Sequence, residues 1–325
     1  MLKYSKKLRF SLKKAVILLN MGGANSIDEV EIFLRNMFDD KNILPMNRYL
    51  RKIVGNIIIK KRLKEVEDNF REFLGGKSPL REITDSLIER IKTKLNMPIV
   101  PAMRYVPPFA SKSLKEFKKS GIEELILFPM YPQYSTTTTL SSIEDIQSRC
   151  KKLDYAPKIT TIKPYYDDYE YISMCVDKIM EAIGDKNTEE YDLILSAHGL
   201  PINIIKNGDP YEKQVEANLS AIKIYLYHNN IIFKNIKLVY QSKVGNSAWL
   251  EPNLVDTLRS PKNKKVIIYP LTFTIDNSET IFELNIESRE IANKIKYEDF
   301  IVANCFNDSE RFANFIAKKI SSIET

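Results

Sequence analysis

Continuous apolar runs alternate with amphipathic stretches along this chain, and the alternation predicts strands separated by helices. Residues 15–20 are apolar up to Asn20 and lead into Met21-Gly22-Gly23, the pattern of a buried parallel strand followed by a tight turn. A second such run, residues 191–198, stops at His198. The other predicted strands are residues 97–104, 124–130, 158–164, 237–241, 265–271 and 300–303. Strands and helices that alternate in this way are typical of an α/β protein.

Helical spacing fills the segments between these strands. Ser26 and Glu29 have the spacing of a capping box, and Ser78 before Pro79 has that of a helix N-cap. A basic stretch within residues 43–64 carries an apolar stripe made of Leu50, Ile53, Val54, Ile57 and Ile58. This stripe belongs either to a helix packed on the core or to an amphipathic lip that touches a membrane surface and admits an apolar ligand.

The order of elements repeats, so we expect two domains of one class. Each is predicted to be a Rossmann-like α/β domain with a mostly parallel four-stranded sheet flanked by helices, and the active-site cleft lies between them. The predicted domains are residues 15–165, with the lip at 37–64, and residues 166–307. A terminal helix, residues 308–325, is expected to pack back on the first domain. Residues that follow strands should face the cleft: Met21, Arg104, Tyr134, His198, Lys243 and Asp276.

Charge and cysteine content narrow the classes of partner. The 325 residues include 49 Lys and Arg against 42 Asp and Glu, a net charge of +7, which favours anionic small molecules or phospholipid head groups. No basic–aromatic run of the nucleic-acid-binding kind is present. The three cysteines are far apart and form no CxxC motif, which argues against a cysteine-ligated metal and for a reducing cytoplasm. We find neither a secretory signal nor an apolar run of the ~20 residues that a spanning helix needs.

His198 is the leading candidate for chemistry. It is one of two histidines, and a buried strand places it at the edge of the sheet where ligands bind. An imidazole with an ordinary pKa near ~6.5 accepts a proton at neutral pH and binds a borderline metal through a free ring nitrogen. The second histidine, His228, lies at a predicted helix end and is expected to be a surface residue.

Three glutamates at helical spacing form the second candidate feature. Glu279, Glu283 and Glu287 stand at i, i+4 and i+8, so one helix face carries a ladder of carboxylates without intervening Lys or Arg. Like charges at this spacing cost about 0.2–0.5 kcal/mol per pair in isolated helices. A ladder facing a cleft passes a divalent cation along or carries protons away, and its oxygen ligands suit weakly held Fe²⁺.

Several motifs together resemble those of ferrochelatases. They are Asn20-Met21-Gly22-Gly23, Arg104-Tyr105, Tyr131-Pro132-Gln133-Tyr134-Ser135, Ser196-Ala197-His198-Gly199-Leu200-Pro201, Gly208-Asp209-Pro210-Tyr211, Tyr240-Gln241-Ser242-Lys243-Val244-Gly245, Trp249-Leu250 and Glu279-Thr280 with Glu283 and Glu287. They occur in the family's order from about residue 15 to residue 290. The resemblance implies a lyase that inserts Fe²⁺ into protoporphyrin IX, the last step of haem synthesis, with release of two protons.

The resemblance also implies roles for individual residues. His198 abstracts pyrrole protons or meets the metal, Glu279 acts opposite it, and Glu283, Glu287 and Asp276 extend the metal or proton path. Residues expected to bind or position the porphyrin are Met21, Ser78, Arg104, Tyr105, Tyr134 and Trp249. We expect Fe²⁺ as a substrate, no tightly bound cofactor, and a monomeric cytoplasmic protein with peripheral contact at the inner face of the membrane.

One departure from the family pattern affects the mechanism. Family members typically carry a histidine between the positions of Asp276 and Ser278, whereas this chain has Asn277. An asparagine forms hydrogen bonds but does not titrate, so His198 is the one imidazole expected in the site. The C-terminal cysteine cluster of some animal members is absent, and we expect no [2Fe–2S] centre. A coproporphyrin III chelatase and a catalytically silent porphyrin- or haem-binding protein remain the alternative functions.

Overall fold

The structure is a computed structural model that describes residues 13–243 and 248–323. The basic N-terminus, residues 1–12, lies outside the described residues. So do Val244 and Gly245 of the predicted motif after the sixth strand, and the last two residues of the predicted terminal helix.

Two four-stranded parallel sheets form the framework. The strands are β1 (Lys14–Asn20), β2 (Ile99–Met103), β3 (Glu124–Pro129), β4 (Lys158–Thr161), β5 (Asp192–His198), β6 (Asn235–Gln241), β7 (Lys265–Pro270) and β8 (Asp299–Val302). The strand orders are β2-β1-β3-β4 and β6-β5-β7-β8, so β1 and β5 occupy equivalent central positions. Eight strands were predicted near these positions, and the two-sheet α/β class is confirmed. The exact domain boundaries remain a prediction.

Helices flank both sheets. Those of the N-terminal half are α1 (Asp28–Phe38), α2 (Arg48–Phe73), α3 (Leu80–Lys92), α4 (Ala110–Lys119) and α5 (Ser141–Lys152), with a π-helical turn at Thr136–Leu140. Those of the C-terminal half are α6 (Tyr169–Ile183), α7 (Ile202–Lys206), α8 (Tyr211–His228), α9 (Leu254–Arg259), α10 (Ser288–Ile295) and α11 (Glu310–Ser321). A short 3₁₀ turn covers Thr188–Glu190, and Glu279–Glu287, here called the acidic π-segment, is π-helical. Within the described residues, no helix is both long and apolar enough to cross a bilayer.

Close packing after β1 explains the paired glycines. Gly22 has a φ of +90°, and a Cβ there would lie 2.5 Å from the Val106 side chain. A Cβ on Gly23 would lie 2.5 Å from the Ser78 hydroxyl. Both glycines are therefore needed for close packing after β1, and the tight turn predicted for Gly22-Gly23 stays a prediction.

A continuous apolar core and a set of hydrogen bonds join the two halves. One buried cluster includes residues of β1 and β3 together with residues of β5, β7, α6 and α11. The buried carboxylate of Asp209 accepts hydrogen bonds from Ser135 Oγ (2.9 Å), Thr136 N (2.7 Å) and Thr136 Oγ1 (2.6 Å). Its other oxygen accepts from the first residue of α8, Tyr211 (2.9 Å). Two motifs that are about 75 residues apart in sequence are therefore connected by the hydrogen bonds of Asp209.

The C-terminal helix also reaches the N-terminal half. Asp308 accepts from Ser86 Oγ at 2.6 Å, and Glu310 pairs with Lys94 and Arg90. These contacts connect α11 to α3, beside the buried aromatic residues Phe312 and Phe315.

One local prediction was wrong, and the 43–64 stripe packs on the core only in part. The Glu29 carboxylate accepts hydrogen bonds from the backbone and side-chain nitrogens of Asn25, not from a Ser26 cap. In the 43–64 stripe, Leu50, Ile53 and Ile57 are 51%, 58% and 52% exposed. Its other two members, Val54 and Ile58, are partly buried, and Ile58 packs on the apolar cluster that α1 and α2 share. α2 packs on α1 through its other face, where Gly55 and Ile59 are buried and a Cβ on Gly55 would lie 3.2 Å from Phe38.

Candidate functional site

The backbone of His198 is held on both sides at the end of β5. Its N–H donates to Thr272 Oγ1 at 3.0 Å, and its carbonyl accepts from the Tyr211 hydroxyl at 2.8 Å. Thr272 follows β7 and Tyr211 begins α8, so three elements fix the position of this residue. The strand end predicted to carry the chemistry is therefore rigid at the backbone and partly open at the side chain.

His198 and Glu279 form a hydrogen-bonded pair. The distance between His198 Nδ1 and Glu279 Oε2 is 3.0 Å, and the side chains are 36% and 34% exposed. Loss of water in the cleft lowers the pKa of His198, but the charge of Glu279, its hydrogen bond and the charge of Glu283 outweigh this, and the net shift is upward. Desolvation likewise raises the pKa of Glu279, but His198 and Ser242 shift it below its ordinary value. With its proton on Nδ1, His198 donates to the ionised Glu279, and this contact keeps the charged form of the ring populated to a higher pH than in a free imidazole.

Glu283 is the next rung of the ladder, and its environment differs. Its Oε2 accepts from Ser242 Oγ at 2.7 Å and from Gln241 Nε2 at 3.2 Å. Gln241 is itself oriented by the Ser196 hydroxyl, which donates to Gln241 Oε1 at 2.8 Å. Burial and the charge of Glu279 raise the pKa of Glu283 to about 7, although Ser242 and His198 act in the opposite direction. Glu283 therefore exchanges a proton readily near neutral pH.

Ser242 has a strained backbone. Its φ of +64° lies in the left-handed region, which side chains other than glycine rarely adopt. In this conformation the Ser242 hydroxyl donates to Glu283, so a strained residue lies next to the glutamate ladder.

The ladder continues from Glu283 toward α2. Burial and the charges of Glu65 and Glu290 raise the pKa of Glu287. Glu65 belongs to α2, and the Phe73 ring of the same helix packs on Phe282 with centroids 5.3 Å apart. The α2 helix and the acidic π-segment thus face each other.

The helix predicted for the glutamates is π-helical, which was not expected. Asn277 and Thr280 cap its start: Asn277 Oδ1 accepts from Glu279 N at 2.8 Å, and Asn277 N donates to Thr280 Oγ1 at 3.0 Å. Asp276 supports this cap, because its carboxylate accepts from Thr280 Oγ1 (3.0 Å) and Asn307 Nδ2 (2.6 Å). The oxygens of Asp276 are therefore used in holding the loop, and its place on a metal or proton path stays a prediction.

The N-terminal half presents a second polar network, built on Arg104. The guanidinium donates to Asp40 Oδ2 at 2.8 Å and to Ser141 Oγ at 2.9 Å, and it lies 3.8 Å from Asp145. The Tyr105 hydroxyl donates to the same Asp40 oxygen at 3.0 Å, and Ser141 also bonds Asp40. Tyr105 has no exposed surface, so in this structure its ring supports Asp40 and Arg104 and does not face a ligand.

The other residues expected to bind porphyrin occupy four places around the edges of the sheets. Met21 follows β1 and is partly exposed, with its carbonyl accepting from Tyr105 N at 3.0 Å. Ser78 is buried against Gly23. Tyr134 is partly buried, and its backbone N–H donates to Gln214 Oε1 at 2.7 Å. Trp249 pairs with Pro201 in a β-bridge, beside Gly199.

The structure therefore unites some predicted residues and separates others. His198, Glu279 and Glu283 lie in one network, whereas Arg104 and Tyr105 belong to the other. Sequence reasoning missed the residues that support these networks: Asp40, Tyr211, Thr272, Gln241 and Ser242. Tyr211, Gln241 and Ser242 stand within the family-like motifs, and that was the available signal. Among the described residues, no group of three or more His, Cys, Asp or Glu side chains is arranged to hold a metal ion.

His228 lies well away from this network. It ends α8, whose first residue Tyr211 bonds His198, and a helix of that length places its ends about 26 Å apart. His228 is exposed, as predicted.

Comparison with known proteins places this chain in a family. The sequence model described as ferrochelatase matches residues 13–323. The chain belongs to the ferrochelatase family. A ferrochelatase of Wolinella succinogenes is 47% identical over 96% of this chain and 99% of the relative. One of Helicobacter pylori strain P12 is 42% identical over 97% and 95%. The resemblance inferred from the motifs and the enzyme class of lyase are confirmed.

Solved structures of more distant proteins have a fold similar to that of this chain. SirB from Bacillus subtilis with Fe³⁺ has a TM-score of 0.58 at 12% identity, covering 96% of this chain and 95% of that one. CbiX, described as the terminal enzyme for biosynthesis of sirohaem in denitrifying bacteria, has a TM-score of 0.53 at 12% identity, with 95% and 98% covered. At this identity the likeness concerns the fold.

Proposed function

We propose that this ferrochelatase inserts Fe²⁺ into protoporphyrin IX to form protohaem, with release of two protons. The observation that carries the proposal is the His198–Glu279 pair at the end of β5, followed by Glu283. Nδ1 of His198 is hydrogen-bonded to Glu279, and Nε2 bonds no described residue. Glu279 thereby orients the ring, so that Nε2 is the nitrogen available to a pyrrole proton or to the metal.

Proton transfer explains why the neighbouring carboxylates matter. Metal insertion releases two pyrrole protons, and a base works best when its pKa lies near the working pH. In our proposal His198 takes a proton at Nε2, and Glu283, with a pKa of about 7, is the next acceptor beside it. Glu287 continues the route toward α2, and the oxygen-rich ladder holds Fe²⁺ only weakly on its way in.

Porphyrin binding is assigned to the edges of both sheets. We propose that Met21 lies near the macrocycle, that Arg104 and Tyr134 position its carboxylates, and that Trp249 and Ser78 support the pocket walls. Tyr105 acts through Asp40 and Arg104. Fe²⁺ enters as a substrate, and neither a tightly bound cofactor nor a [2Fe–2S] centre takes part.

A parallel insertion assay tests the function and the choice of porphyrin. Purified protein is given Fe²⁺ anaerobically with protoporphyrin IX or coproporphyrin III, and product formation is followed by absorbance. We expect a higher kcat/KM with protoporphyrin IX, as the Asn20-Met21-Gly22-Gly23 turn suggests. A preference for coproporphyrin III would overturn the substrate assignment. Porphyrin binding without insertion of Fe²⁺ or Zn²⁺ would support a silent binding protein.

We further propose a monomeric cytoplasmic protein whose α2 helix contacts the membrane surface. Its exposed apolar residues are Tyr49, Leu50, Ile53 and Ile57, and the exposed cations around them are Arg48, Lys52, Lys60, Lys61 and Lys64. This combination fits an anionic bilayer interface. Flotation with anionic vesicles should recover the protein, and Ile53→Ser with Ile57→Ser should reduce recovery. Equal recovery of the variant would contradict this contact.

A further inference from the structure

The start of the acidic π-segment depends on one neutral side chain, Asn277. The oxygen Oδ1 accepts from Glu279 N at 2.8 Å and from Thr280 N at 3.4 Å. Thr280 Oγ1 accepts from Asn277 N at 3.0 Å in return. This reciprocal pattern is that of a capping box, with Asn277 as the N-cap and Thr280 three residues later.

The remaining groups of Asn277 are also bonded. Nδ2 donates to the Ile275 carbonyl at 3.3 Å, and the Asn277 carbonyl accepts from Ile281 N at 3.1 Å. Ser278, the neighbouring residue, supplies no side-chain cap. Asp276 and Asn307 anchor the loop on its other side. The side chain of Asn277 therefore both accepts from the segment and fixes the loop that precedes it.

The cap bears directly on the reactive pair. Glu279 is the second residue after Asn277, and its backbone N–H is the one that Asn277 Oδ1 holds most closely. The carboxylate of the same residue lies 3.0 Å from His198 Nδ1. π-Helical segments are rare, and this one begins at the residue whose carboxylate must be placed. An amide suits the position because it accepts two N–H bonds without adding a negative charge beside Glu279.

We propose that Asn277 is a positioning residue, which holds Glu279 against His198 by capping the acidic π-segment. The inference rests on the proposed function only for its activity readout. A histidine ring nitrogen accepts a single N–H, so a histidine at 277 would keep at most one of the two cap bonds. In this chain, position 277, which is typically a histidine in the family, therefore contributes by capping the acidic π-segment.

The activity test uses three variants of the full chain. Asn277→Ala removes the cap, Asn277→Ser restores a neutral acceptor, and Asn253→Ala removes a matched asparagine cap that accepts from Val255 N at the start of α9. We expect kcat for Fe²⁺ insertion to fall on the order of tenfold in Asn277→Ala, with KM for porphyrin unchanged, and to recover in Asn277→Ser. Asn253→Ala should lower Tm and leave kcat unchanged.

A double-variant comparison separates positioning from general destabilisation. In a Glu279→Gln background, Asn277→Ala should have less than half of its effect on kcat, because the carboxylate it positions is gone. If Asn277→Ala lowers kcat by the same factor in both backgrounds, the proposal is overturned. It is also overturned if Asn253→Ala lowers kcat as much as Asn277→Ala does.

A spectroscopic readout keeps the inference testable even for an inactive protein. Only two histidines are present, so ¹⁵N-histidine spectra contain one signal set for His198 and one for His228. Asn277→Ala should shift or broaden the His198 Nδ1 signals, and Asn277→Ser should restore them. If wild type shows no metal insertion while these shifts occur, the proposed function fails and the positioning role stands. Unchanged His198 signals in Asn277→Ala would overturn it.

Discussion

The two sheets have the same strand order, yet the polar residues beyond their carboxyl ends are paired in different ways. At the N-terminal edge the Arg104 cation is balanced by the carboxylates of Asp40 and Asp145, and Asp40 is buried. At the C-terminal edge His198 and Glu279 pair in a partly open position. Glu283 adds a carboxyl group there that forms no ion pair with a Lys or Arg among the described residues.

The difference shows how one topology supports two tasks. A buried pair with satisfied hydrogen bonds stabilises the fold when intact and is costly to break, so the N-terminal network is suited to holding shape. Half-open groups with pKa values shifted by their neighbours are suited to exchanging protons. Both edges lie beyond the carboxyl ends of parallel strands, and in our proposal the residues that follow each strand decide which edge reacts.

The largest effect should come from His198. In His198→Ala we expect metal insertion to fall on the order of 10²- to 10⁴-fold, the range expected for loss of a general base, while circular dichroism shows an intact fold. The matched control is His228→Ala, which removes the exposed imidazole. Full activity in His198→Ala would mean that the C-terminal edge does not carry the chemistry.

Glu279→Gln should have the next largest effect on activity. The amide keeps the shape but removes the charge that raises the pKa of His198, and orienting partners of this kind are worth about 10- to 100-fold. A base must be neutral to accept a proton, so activity falls as the pH drops through the pKa of His198. Lowering that pKa should move the acidic limb of the kcat/KM profile to lower pH. A limb that stays in place or moves upward would show that Glu279 does not tune His198.

At the N-terminal edge, Asp40→Asn should cost stability. It leaves Arg104 without its closest carboxylate, and because Arg104 is partly exposed we expect a loss of about 2–3 kcal/mol in urea unfolding. Asp68→Asn is the matched control, since the side chains of Asp68 and its partner Arg71 are 45% and 51% exposed. It should stay within about 0.5 kcal/mol of wild type. Unchanged stability in Asp40→Asn would contradict the structural role of the Asp40–Arg104 pair, whereas a raised KM for porphyrin would agree with the proposed binding role of Arg104.

We expect the smallest effect from Glu283→Gln, which should change the free energy of unfolding mainly at higher pH. Its folded pKa of about 7 lies above its ordinary 4.5, so the folded state binds this proton more tightly than the unfolded chain. Its contribution is therefore most favourable below pH 4.5 and declines as the pH rises through 7. The amide introduced in Glu283→Gln carries no charge, so this variant should be more stable than wild type by about 1–3 kcal/mol at pH 8 and by less than about 1 kcal/mol at pH 5.

The exposed Glu89 on α3 provides the control for this measurement. Its side chain is 71% exposed and pairs with Lys92 at 2.7 Å, so Glu89→Gln should show no such dependence on pH. A constant difference between Glu283→Gln and wild type from pH 5 to pH 8 would contradict the shifted pKa.

The sequence by itself determined the strands, their α/β class and the location of His198. These follow from local physics, because a run such as residues 192–198 must be buried on both faces and the residue that ends it must emerge at the sheet edge. The spacing of Glu279, Glu283 and Glu287 likewise placed the carboxylates on one side of their element. The family motifs added the chemistry.

Only the tertiary structure decided how those residues are paired. Asp40 and Arg104 are 64 positions apart, and His198 and Glu279 are 81 positions apart, so no local pattern joins them. The exposure of the α2 stripe depends on which face α1 covers, and periodicity cannot distinguish the two. The same applies to Asn277, because its cap bonds depend on a loop anchored by Asn307. Hydrogen bonds and charge pairs depend on distances in space, and these exist only once the chain has folded.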